Sequence, residues 1–379
     1  MKRILQDYIR KEPVLWTAVS LAALSAVWIP PSPAYLRYID GRVLGLLFCL
    51  MAVVRALGHV RFFLWLGEKL AAGASSRRSL RFVLVSLAFF SSMFITNDVA
   101  LITFVPFTIE LLHRIGAQDE IIPVVVWETT AANLGSMLTP VGNPQNLYLY
   151  QISGMAAGEF LCLMLPFTLL SFILLGGLAL WKKDKPLTRS WEDTAKITDK
   201  RKAACFGLLF FLCLLVVGRL LPEKETLVFT AAAIGLLDKK AVKEVDYILL
   251  ATFTALFIFI GNLSASPAVR HGLEALLAGR ELWISILLSQ IISNVPAAML
   301  LAGFTDRIPA LIIGTNIGGL GTLIASMASL ISYRFYGQTL HADKKRYLLA
   351  FTWINLALLA ILSLGAWVSE RLPIWLTPV

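Results

Sequence analysis

The stretch A-N-L-G-S-M-L-T-P-V-G-N-P-Q-N (132–146) is a polar interruption in an apolar part of the chain. Pro140 and Pro144 remove backbone hydrogen-bond donors and Gly142 frees the backbone, so no continuous helix can pass through it. The apolar run over 121–150 is therefore expected to form two half-helices with unwound backbone between them. Such backbone is tolerated at membrane depth only when buried in protein or lining an aqueous cavity, which indicates a binding site.

A second stretch, T-N-I-G-G-L-G-T-L-I-A-S-M-A-S (315–329), corresponds to the first at a constant offset of 183 residues. The matched positions are Asn133/Asn316, Gly135/Gly318 and Thr139/Thr322. Here glycines, rather than prolines, interrupt the helix. Glycines at helix crossings also serve as close-packing contacts, and that explanation fits Gly318, Gly319 and Gly321 as well as a binding role does.

A longer internal repeat supports the pairing of these two breaks. Residues 40–73 align without a gap onto residues 246–279, with eight identities in 34 positions. This composition would give roughly three by chance. A duplicated membrane protein with paired helix interruptions is typical of secondary transporters.

The composition predicts a membrane protein. Of 379 residues, 58% are hydrophobic and 15% charged, with a mean hydropathy of +0.74; soluble chains carry about 25% charged residues. One bundle of about ten helices fits this length. The predicted full spans are 14–30, 41–57, 121–150, 159–181, 203–220, 225–237, 246–264, 307–333 and 347–369.

The net charge of +10 is distributed unevenly along this topology. With the N-terminus inside, 26 of the 34 lysines and arginines fall on the cytoplasmic side and 8 outside. This positive-inside bias predicts a multi-pass inner (plasma) membrane protein of bacterial type, with the N-terminus in the cytoplasm and the C-terminus outside. Membrane lipid is then its expected surroundings, and the basic charge requires no nucleic-acid partner.

The predicted domain organisation is two inverted repeats joined by a polar linker. The first repeat is 1–181, the cytoplasmic linker 182–202, the connecting helix 203–220 and the second repeat 221–379. The connecting helix reverses the orientation of the second repeat. In each half, one amphipathic segment (59–76 and 267–279) is expected to lie in the membrane interface.

Each repeat also contains a pair of short apolar segments that meet at a polar turn. In the first, 79–95 and 99–113 meet at Thr96-Asn97-Asp98; in the second, 281–292 and 296–305 meet at Ser293-Asn294-Val295. Segments this short predict re-entrant hairpins entering from opposite sides, with helix termini at the midplane that can bind ions. The alternative is two ordinary helices joined by an asparagine-capped turn.

Two acidic residues are placed deep in the membrane by this topology, Asp98 and Glu128. Intramembrane carboxylates usually mark an ion or proton path. Asp98 is the better Na⁺ ligand and Glu128 the better proton carrier. The structural alternatives are a helix cap for Asp98 and, for Glu128, a pair with an arginine such as Arg55, which can instead extend to the interface.

The chain resembles the ion transporter superfamily, whose branches include arsenite permeases, one type of Na⁺/H⁺ antiporter, citrate transporters and divalent anion:sodium symporters. The resemblance rests on I-D-G-R-V-L-G-L-L-F (39–48), T-N-D-V-A-L-I-T-F-V-P-F (96–107), the 132–146 stretch and S-N-V-P-A (293–297). It implies an all-α fold of two inverted repeats, each with a re-entrant hairpin and a broken helix, in a homodimer. The symporter branch carries Ser-Asn-Thr at both tips, whereas these tips are closer to the arsenite and antiporter branches.

These observations predict a secondary active transporter for a small anion, an organic di- or tricarboxylate or an inorganic oxyanion, coupled to Na⁺ or H⁺. The alternatives are a Na⁺/H⁺ antiporter or, from other classes, a channel or a membrane-embedded enzyme. Four scattered histidines supply no catalytic or metal-binding set, so neither an enzyme nor a cofactor is expected. The predicted substrate- and ion-binding residues are Thr96, Asn97, Asp98, Glu128, Asn133, Gly135, Thr139, Pro140, Gly142, Asn143, Pro144, Asn146, Ser293, Asn294, Asn316, Gly318, Thr322 and Ser326. Within this set, the predicted Na⁺ ligands are Thr96, Asn97, Asp98 and Asn133.

Overall fold

The computed structural model of the protein describes residues 12–187, 195–340 and 342–371. Within these ranges the chain is helical, with a single isolated β-bridge between Ser76 and Pro186. This agrees with the predicted all-α membrane class. The basic segment 1–11, linker residues 188–194 and the C-terminal residues 372–379, which entered the topology prediction, lie outside the described residues.

The first half of the chain contains the first hairpin and the first broken helix. Its helices are α1 Pro13–Trp28, α2 Tyr35–Tyr38, α3 Gly41–His59, α4 Phe62–Ala72, α5 Arg77–Ser91, α6 Asn97–Arg114, α7 Ile121–Gly135, α8 Pro144–Ser153 and α9 Ala157–Trp181. Short 3₁₀ turns precede and follow α7, at Gln118–Glu120 and Ser136–Leu138. The hairpin is α5 and α6, and the broken helix is α7 and α8, so both interruptions occur where the sequence predicts them.

The second half repeats this order after one connecting helix, α10. Its helices are α10 Lys200–Val217, α11 Glu223–Leu237, α12 Lys239–Lys243, α13 Tyr247–Ser264, α14 Pro267–Leu277, α15 Glu281–Ile292, α16 Asn294–Ala302, α17 Ile308–Gly318, α18 Met327–Gly337 and α19 Lys344–Arg371. The hairpin is α15 and α16, and the broken helix is α17 and α18.

Five segments in the described ranges are long and apolar enough to cross a membrane unaided. They are Gly41–His59, Gln118–Leu138, Ala157–Trp181, Tyr247–Ser264 and Lys344–Arg371. Several of the other predicted spans are short or interrupted: α1 has 16 residues and α11 has 15, and the span predicted at 307–333 is divided between α17 and α18. An unbroken span needs about 20 residues, so the chain is a polytopic membrane protein with many partial helices.

One identity of the internal repeat, the pair Asp40 and Asp246, has the same local role in both halves. The Asp40 carboxylate accepts hydrogen bonds from the backbone N–H groups of Arg42 and Val43 at the start of α3. Asp246 accepts one from Leu249 at the start of α13. Each therefore caps a helix whose first N–H groups have no partner within the helix.

The hairpins pack against the broken helices through glycine. A Cβ atom on Gly135 of α7 would lie 2.0 Å from the carbonyl oxygen of Phe89 on α5. A Cβ atom on Gly318 of α17 would lie 2.7 Å from Oγ of Ser289 on α15. Any larger residue would force these helices apart, so both predicted glycines set the position of a hairpin.

The predicted interfacial segments form α4 and α14. A bend of 107° separates α14 from α15, so α14 runs across the direction of the hairpin that follows it. α4 likewise precedes α5 in the first half, after a left-handed residue, Arg61, with φ 61°. Both helices therefore form short connections between a span and a hairpin.

A buried ion pair fixes the base of the first hairpin, opposite its tip. Arg81 is 1% exposed and donates to Glu120 Oε1 at 3.2 Å and to the carbonyl oxygen of Ala179 at 3.0 Å. Lys182 Nζ reaches the other oxygen of Glu120 at 2.8 Å. Since buried charges destabilise a fold unless they are paired and hydrogen-bonded, these contacts keep α5 attached to α7 and α9.

A second polar contact joins the two halves through His59 at the end of α3. Its Nδ1 lies 2.7 Å from Asp238 and its Nε2 lies 2.8 Å from Glu244, at either end of α12. The hydrogen bond from His59 holds the pKa of the Glu244 carboxyl below its usual range. The carboxylate is therefore ionised at neutral pH and connects α3 to α12.

Candidate functional site

The first hairpin tip is fixed to the first broken helix by both backbone and side chain. The backbone N–H of Asn97 donates to the carbonyl oxygen of Gly142 at 3.1 Å. Its side-chain Nδ2 donates to Asn133 Oδ1 at 2.8 Å, and its Oδ1 accepts from the N–H of Asp98 at 3.0 Å. α5 ends at Ser91 and α6 begins at Asn97, so the turn is 92–96, a few residues earlier than the predicted 96–98, and Asp98 lies in the first helical turn.

The loop between α7 and α8 is held by its own amides and hydroxyls. Asn143 donates to Ser136 Oγ at 2.6 Å, and Asn146 donates to the carbonyl oxygens of Ser136 and Thr139 at 3.3 and 3.2 Å. The Thr139 hydroxyl donates to the carbonyl oxygen of Met93 in the hairpin turn. Pro140 and Pro144 lie on either side of the bend, as the sequence predicts, and Pro144 begins α8.

The second tip uses the same backbone contact but a different side-chain arrangement. The N–H of Asn294 donates to the carbonyl oxygen of Ala325 at 3.0 Å. Its Oδ1 accepts from the Ser293 hydroxyl at a longer 3.4 Å. Ser293 has φ 75° and ψ 154°, a conformation that is essentially reserved for glycine. The second tip is therefore held mainly by backbone and carries strain.

The loop between α17 and α18 is organised by Gln290, which the sequence reasoning did not single out. Its Nε2 donates to the carbonyl oxygens of Gly318 and Leu320 at 2.7 and 2.9 Å, and its Oε1 accepts from the N–H of Thr322 at 2.9 Å. The Thr322 hydroxyl donates to the carbonyl oxygen of Gln290 at 3.3 Å. Thr322 is exposed, and its contacts are structural.

Asparagine side chains join the two broken helices at the centre. Asn133 Oδ1 accepts from Ser326 Oγ at 3.0 Å, and its Nδ2 donates to Ser329 Oγ at 3.1 Å. In the opposite direction, Asn316 Nδ2 donates to Asn146 Oδ1 at 2.6 Å. The structure thus brings five predicted residues into two groups. Asn133 is hydrogen-bonded to both Asn97 and Ser326, and Asn316 is hydrogen-bonded to Asn146.

Four kinds of contact recur in the two halves at constant offsets. Tip residues are related by 197 positions and broken-helix residues by 183. At the tips, Asn97–Gly142 corresponds to Asn294–Ala325, and between tip and loop Thr139–Met93 corresponds to Thr322–Gln290. Between the halves, Asn133–Ser329 corresponds to Asn316–Asn146. The fourth kind is the close approach of Gly135 to α5 and of Gly318 to α15. Ser329 corresponds to Asn146 at the same offset, which is the sequence signal that could have identified it.

The two predicted acids occupy different environments. Asp98 lies at the start of α6, partly exposed, where the charges of Asp246 and Arg55 act on it. Glu128 is fully buried in α7, and its Oε1 accepts from the Thr108 hydroxyl at 2.6 Å. Within the described residues neither acid forms an ion pair, so the suggested pairing of Glu128 with Arg55 is wrong; Thr108 occupies that position. Arg55 instead acts on Asp98.

The site contains mainly neutral polar groups. Among the described residues, no lysine or arginine donates a hydrogen bond to the asparagine and serine side chains that join the halves. The local positive potential comes from helix N-termini, because α6, α8, α16 and α18 all begin at the hairpin tips and loops. These are backbone groups that suit an anion, while amide and hydroxyl oxygens suit a cation or a donor.

Paired breaks inside a helical bundle, closed on each other by buried amides, are the structure of a membrane transporter. Comparison with known proteins supports that class. The chain belongs to the citrate transporter family, which matches residues 9–308. The resemblance to the ion transporter superfamily is thereby confirmed, and the protein is a transporter rather than an enzyme.

Relatives from bacteria, archaea and plants are transporters or membrane proteins by name. The chain is 32% identical over 307 residues to the inner membrane protein YbiR of Escherichia coli (strain K12), covering 78% of this chain and 80% of that protein. It is 32% identical over 292 residues to the uncharacterized transporter MJ0456 of Methanocaldococcus jannaschii, covering 76% and 79%. A shorter match, 34% identity over 128 residues, is to the silicon efflux transporter LSI3 of Oryza sativa subsp. japonica and covers 34% of this chain and 26% of that protein.

Proposed function

We propose that the protein is a secondary active transporter that moves a small anion across the inner membrane by alternating access, coupled to Na⁺ or H⁺. The observation that carries this proposal is the recurrence of the tip and loop contacts in both halves, meeting at Asn133 and Asn316. Two equivalent half-sites facing each other suit a substrate that is reached from either side in turn.

In this proposal the two halves are inverted repeats and the hairpins are re-entrant. Inversion would place the base of the first hairpin, with Arg81 and Glu120, at the cytoplasmic side, and the base of the second outside. The first repeat is 1–181, the linker 182–202, the connecting helix 203–220 and the second repeat 221–379. The constant offsets of the recurring contacts support this division, as does the excess of lysine and arginine in the predicted cytoplasmic loops.

The substrate would be held between the opposed tips and loops. An anion has four half-helix N-termini available, each with a partial positive charge, and amide N–H groups that can donate to its oxygens. The name of the family favours an organic tricarboxylate, and the name of the rice relative favours a smaller inorganic solute. The proposed class covers organic di- and tricarboxylates as well as inorganic oxyanions.

Coupling is assigned to the two acids at separate places. Asp98, partly exposed at the first tip beside Thr96 and Asn97, would bind Na⁺, since hard cations prefer oxygen ligands. In the contacts observed, Asn133 Oδ1 already accepts two hydrogen bonds, so it could join that site only after rearrangement. Glu128, buried without a cation, would carry a proton.

The alternative is a Na⁺/H⁺ antiporter in which both acids exchange cations. That mechanism favours acids close enough to compete for one site, whereas Glu128 contacts Thr108 and Asp98 is influenced by Arg55 and Asp246. These different surroundings favour anion transport with coupling over the exchange of cations at one site. A channel remains the alternative from another class, and it would show no competition between co-substrate and driving ion.

The test is transport by purified protein in liposomes. Radiolabelled citrate, phosphate and arsenite would be offered with an inward Na⁺ gradient, an inward proton gradient, or neither. Accumulation above equilibrium that requires one of the gradients is expected. Equilibration at the same rate in all three conditions would contradict coupled transport and support a channel. Exchange of Na⁺ for protons with no anion present would instead support the antiporter. Size and crosslinking measurements on the same preparation would test the expected homodimer.

A further inference from the structure

One buried side chain at the centre of the molecule has no hydrogen-bond partner among the described residues, although the asparagines close to it in sequence, Asn143 and Asn146, are hydrogen-bonded. Gln145, the second residue of α8, is completely buried, and neither its Oε1 nor its Nε2 has a hydrogen-bond partner among the residues the structure describes. It lies between Pro144, which begins the helix, and Asn146, which contacts the other half through Asn316. The glutamine lies in the broken-helix stretch 132–146, but the set of predicted binding residues does not include it.

A third unpartnered atom belongs to the contact between Asn146 and Asn316. Asn316 donates through Nδ2 to Asn146 Oδ1 and to the carbonyl oxygen of Ile312, but its own Oδ1 has no partner in the described ranges. In the first half the corresponding oxygen, Oδ1 of Asn133, accepts from both Asn97 and Ser326. The Asn316 oxygen therefore accepts no hydrogen bond from the described residues, whereas the corresponding oxygen of Asn133 accepts two.

The direction of Gln145 follows from its position on α8. Residues three apart lie on one face of a helix, so Gln145 shares a face with Tyr148. The Tyr148 ring packs against Phe257 of α13, with ring centroids 5.7 Å apart. Asn146, one position further, faces Asn316 of α17 instead. Gln145 therefore lies beside the central asparagine contact, on the side of α8 that faces α13.

A purely structural role does not account for this glutamine. Burying a primary amide without partners is destabilising, since its two donors and its acceptor lose their bonds to water. Gln290 shows what a structural glutamine looks like in this chain, because its Nε2 and Oε1 are all bonded to the second loop. An unpartnered, fully buried amide at a helix N-terminus within the proposed transport site points to a ligand.

The chemistry of the unused groups restricts that ligand. Gln145 offers two N–H donors and one oxygen acceptor, and Asn316 offers another acceptor. An ionised carboxylate only accepts hydrogen bonds. It could accept from the N–H groups of Gln145, but the side-chain oxygens of Gln145 and Asn316 would stay without a donor. A hydroxyl group donates and accepts at once, and it matches a primary amide as a two-point partner.

Resting on the proposed transport function, we propose that Gln145 is a substrate-binding residue that recognises a hydroxyl group of the transported solute. The solute hydroxyl donates to Oε1 of Gln145 and accepts from Nε2. A solute that lacks this hydroxyl leaves the amide unpaired, so the site distinguishes a hydroxy acid from its deoxy analogue by on the order of 10- to 100-fold in affinity.

The first arm of the test measures stability without solute. Gln145→Met keeps the length of the side chain and removes the unpartnered groups, so the melting temperature of the purified protein should stay equal or rise. Gln290→Met is the matched control, and it should lower the melting temperature because three existing hydrogen bonds are lost. A fall for Gln145→Met as large as that for Gln290→Met would overturn the inference, because it would show that Gln145 has a structural partner.

The second arm measures binding with two matched pairs, citrate against tricarballylate and malate against succinate. Wild-type protein should be stabilised more strongly by the hydroxylated member of a pair, and Gln145→Met should lose that preference. Gln145→Glu should recover the preference at low pH, where a protonated acid again donates and accepts, and lose it at high pH.

Equal binding of both members by wild type would overturn the inference and leave the proposed function intact. Binding of none of the four acids would contradict the organic-anion part of the proposed function, and the inference would fail with it. The melting-temperature measurements distinguish these two cases, because they are made without solute and depend only on the side chain at position 145.

Discussion

The two hairpin tips share one backbone contact and differ in almost everything else. In both, an asparagine N–H donates to a carbonyl oxygen of the facing loop, at 3.1 Å for Asn97 and 3.0 Å for Asn294. The Asn97 side chain is also hydrogen-bonded to Asn133, whereas within the described ranges the Asn294 side chain is hydrogen-bonded only to Ser293, at 3.4 Å. The first tip is followed by an acid, Asp98, and the second by Val295.

This difference separates what the repeat requires from what each half adds. The shared contact fixes each tip on a broken helix without depending on the side chain, so it can survive divergence between copies. The first tip adds a side-chain network and a charge. The second adds strain at Ser293, whose φ is 75°. We therefore expect the first tip to control coupling and the second to be displaced more easily.

The largest effect is expected from removing the two tip asparagines. Asn97→Ala and Asn294→Ala should each abolish transport in liposomes, because each removes polar groups from the shared site. Their stabilities should differ: Asn97→Ala should cost roughly 1–3 kcal/mol, since the buried Asn133 loses a partner, and Asn294→Ala less than about 1 kcal/mol. Normal transport by both variants would show that the tips are not part of the binding site. Equal stabilities would show that the two side chains contribute equally to holding their tips.

The next effect concerns coupling and the acids that only the first half carries. Asp98→Asn should abolish the dependence of transport on Na⁺, if Na⁺ proves to be the driving ion, while substrate binding persists. Glu128→Gln should flatten the pH dependence of transport and spare substrate binding, because the amide cannot take up a proton. The control for both is Glu110→Gln, an exposed residue paired with Arg114. If the protein carrying both Asp98→Asn and Glu128→Gln transported with unchanged ion and pH dependence, the two acids would have only structural roles.

Sequence reasoning located the interruptions because they depend on local chemistry. Proline at 140 and 144 and polar residues inside apolar runs leave no continuous helix, whatever surrounds them. The same reasoning could not identify the partners. Thr108 meets Glu128 because α6 packs on α7, and Asn146 meets Asn316 across the two halves. Those contacts are decided by tertiary packing.

Gln145 illustrates the limit most clearly. The five residues 142–146 contain three polar side chains, those of Asn143, Gln145 and Asn146. Composition gives no reason to separate it from its neighbours. Only the structure shows that the two asparagines are hydrogen-bonded and the glutamine is not.

A smaller effect is expected from relieving the strain at the second tip. Ser293→Gly should stabilise the protein by about 1 kcal/mol, because glycine adopts this backbone conformation without a steric penalty. Thr96→Gly is the matched change in the first tip, where φ is −59°, and it should destabilise by roughly 0.5–1 kcal/mol through backbone entropy. Thermal unfolding of both variants would measure the difference. Destabilisation of both to the same extent would mean that Ser293 is not strained.

The smallest effect tests whether the two halves differ beyond their tips, at the matched helix caps Asp40 and Asp246. Asparagine caps a helix about as well as aspartate, so Asp40→Asn and Asp246→Asn should each change stability by less than about 0.5 kcal/mol. The charge of Asp246 acts on Asp98, so its removal should shift the ion or pH dependence of transport, weakly because Asp246 is exposed and salt screens it. Asp40→Asn should leave that dependence unchanged. The shift in ion or pH dependence should become smaller at high ionic strength. An equal shift from Asp40→Asn and Asp246→Asn would show that the helix caps are responsible, and not the charge near the first tip.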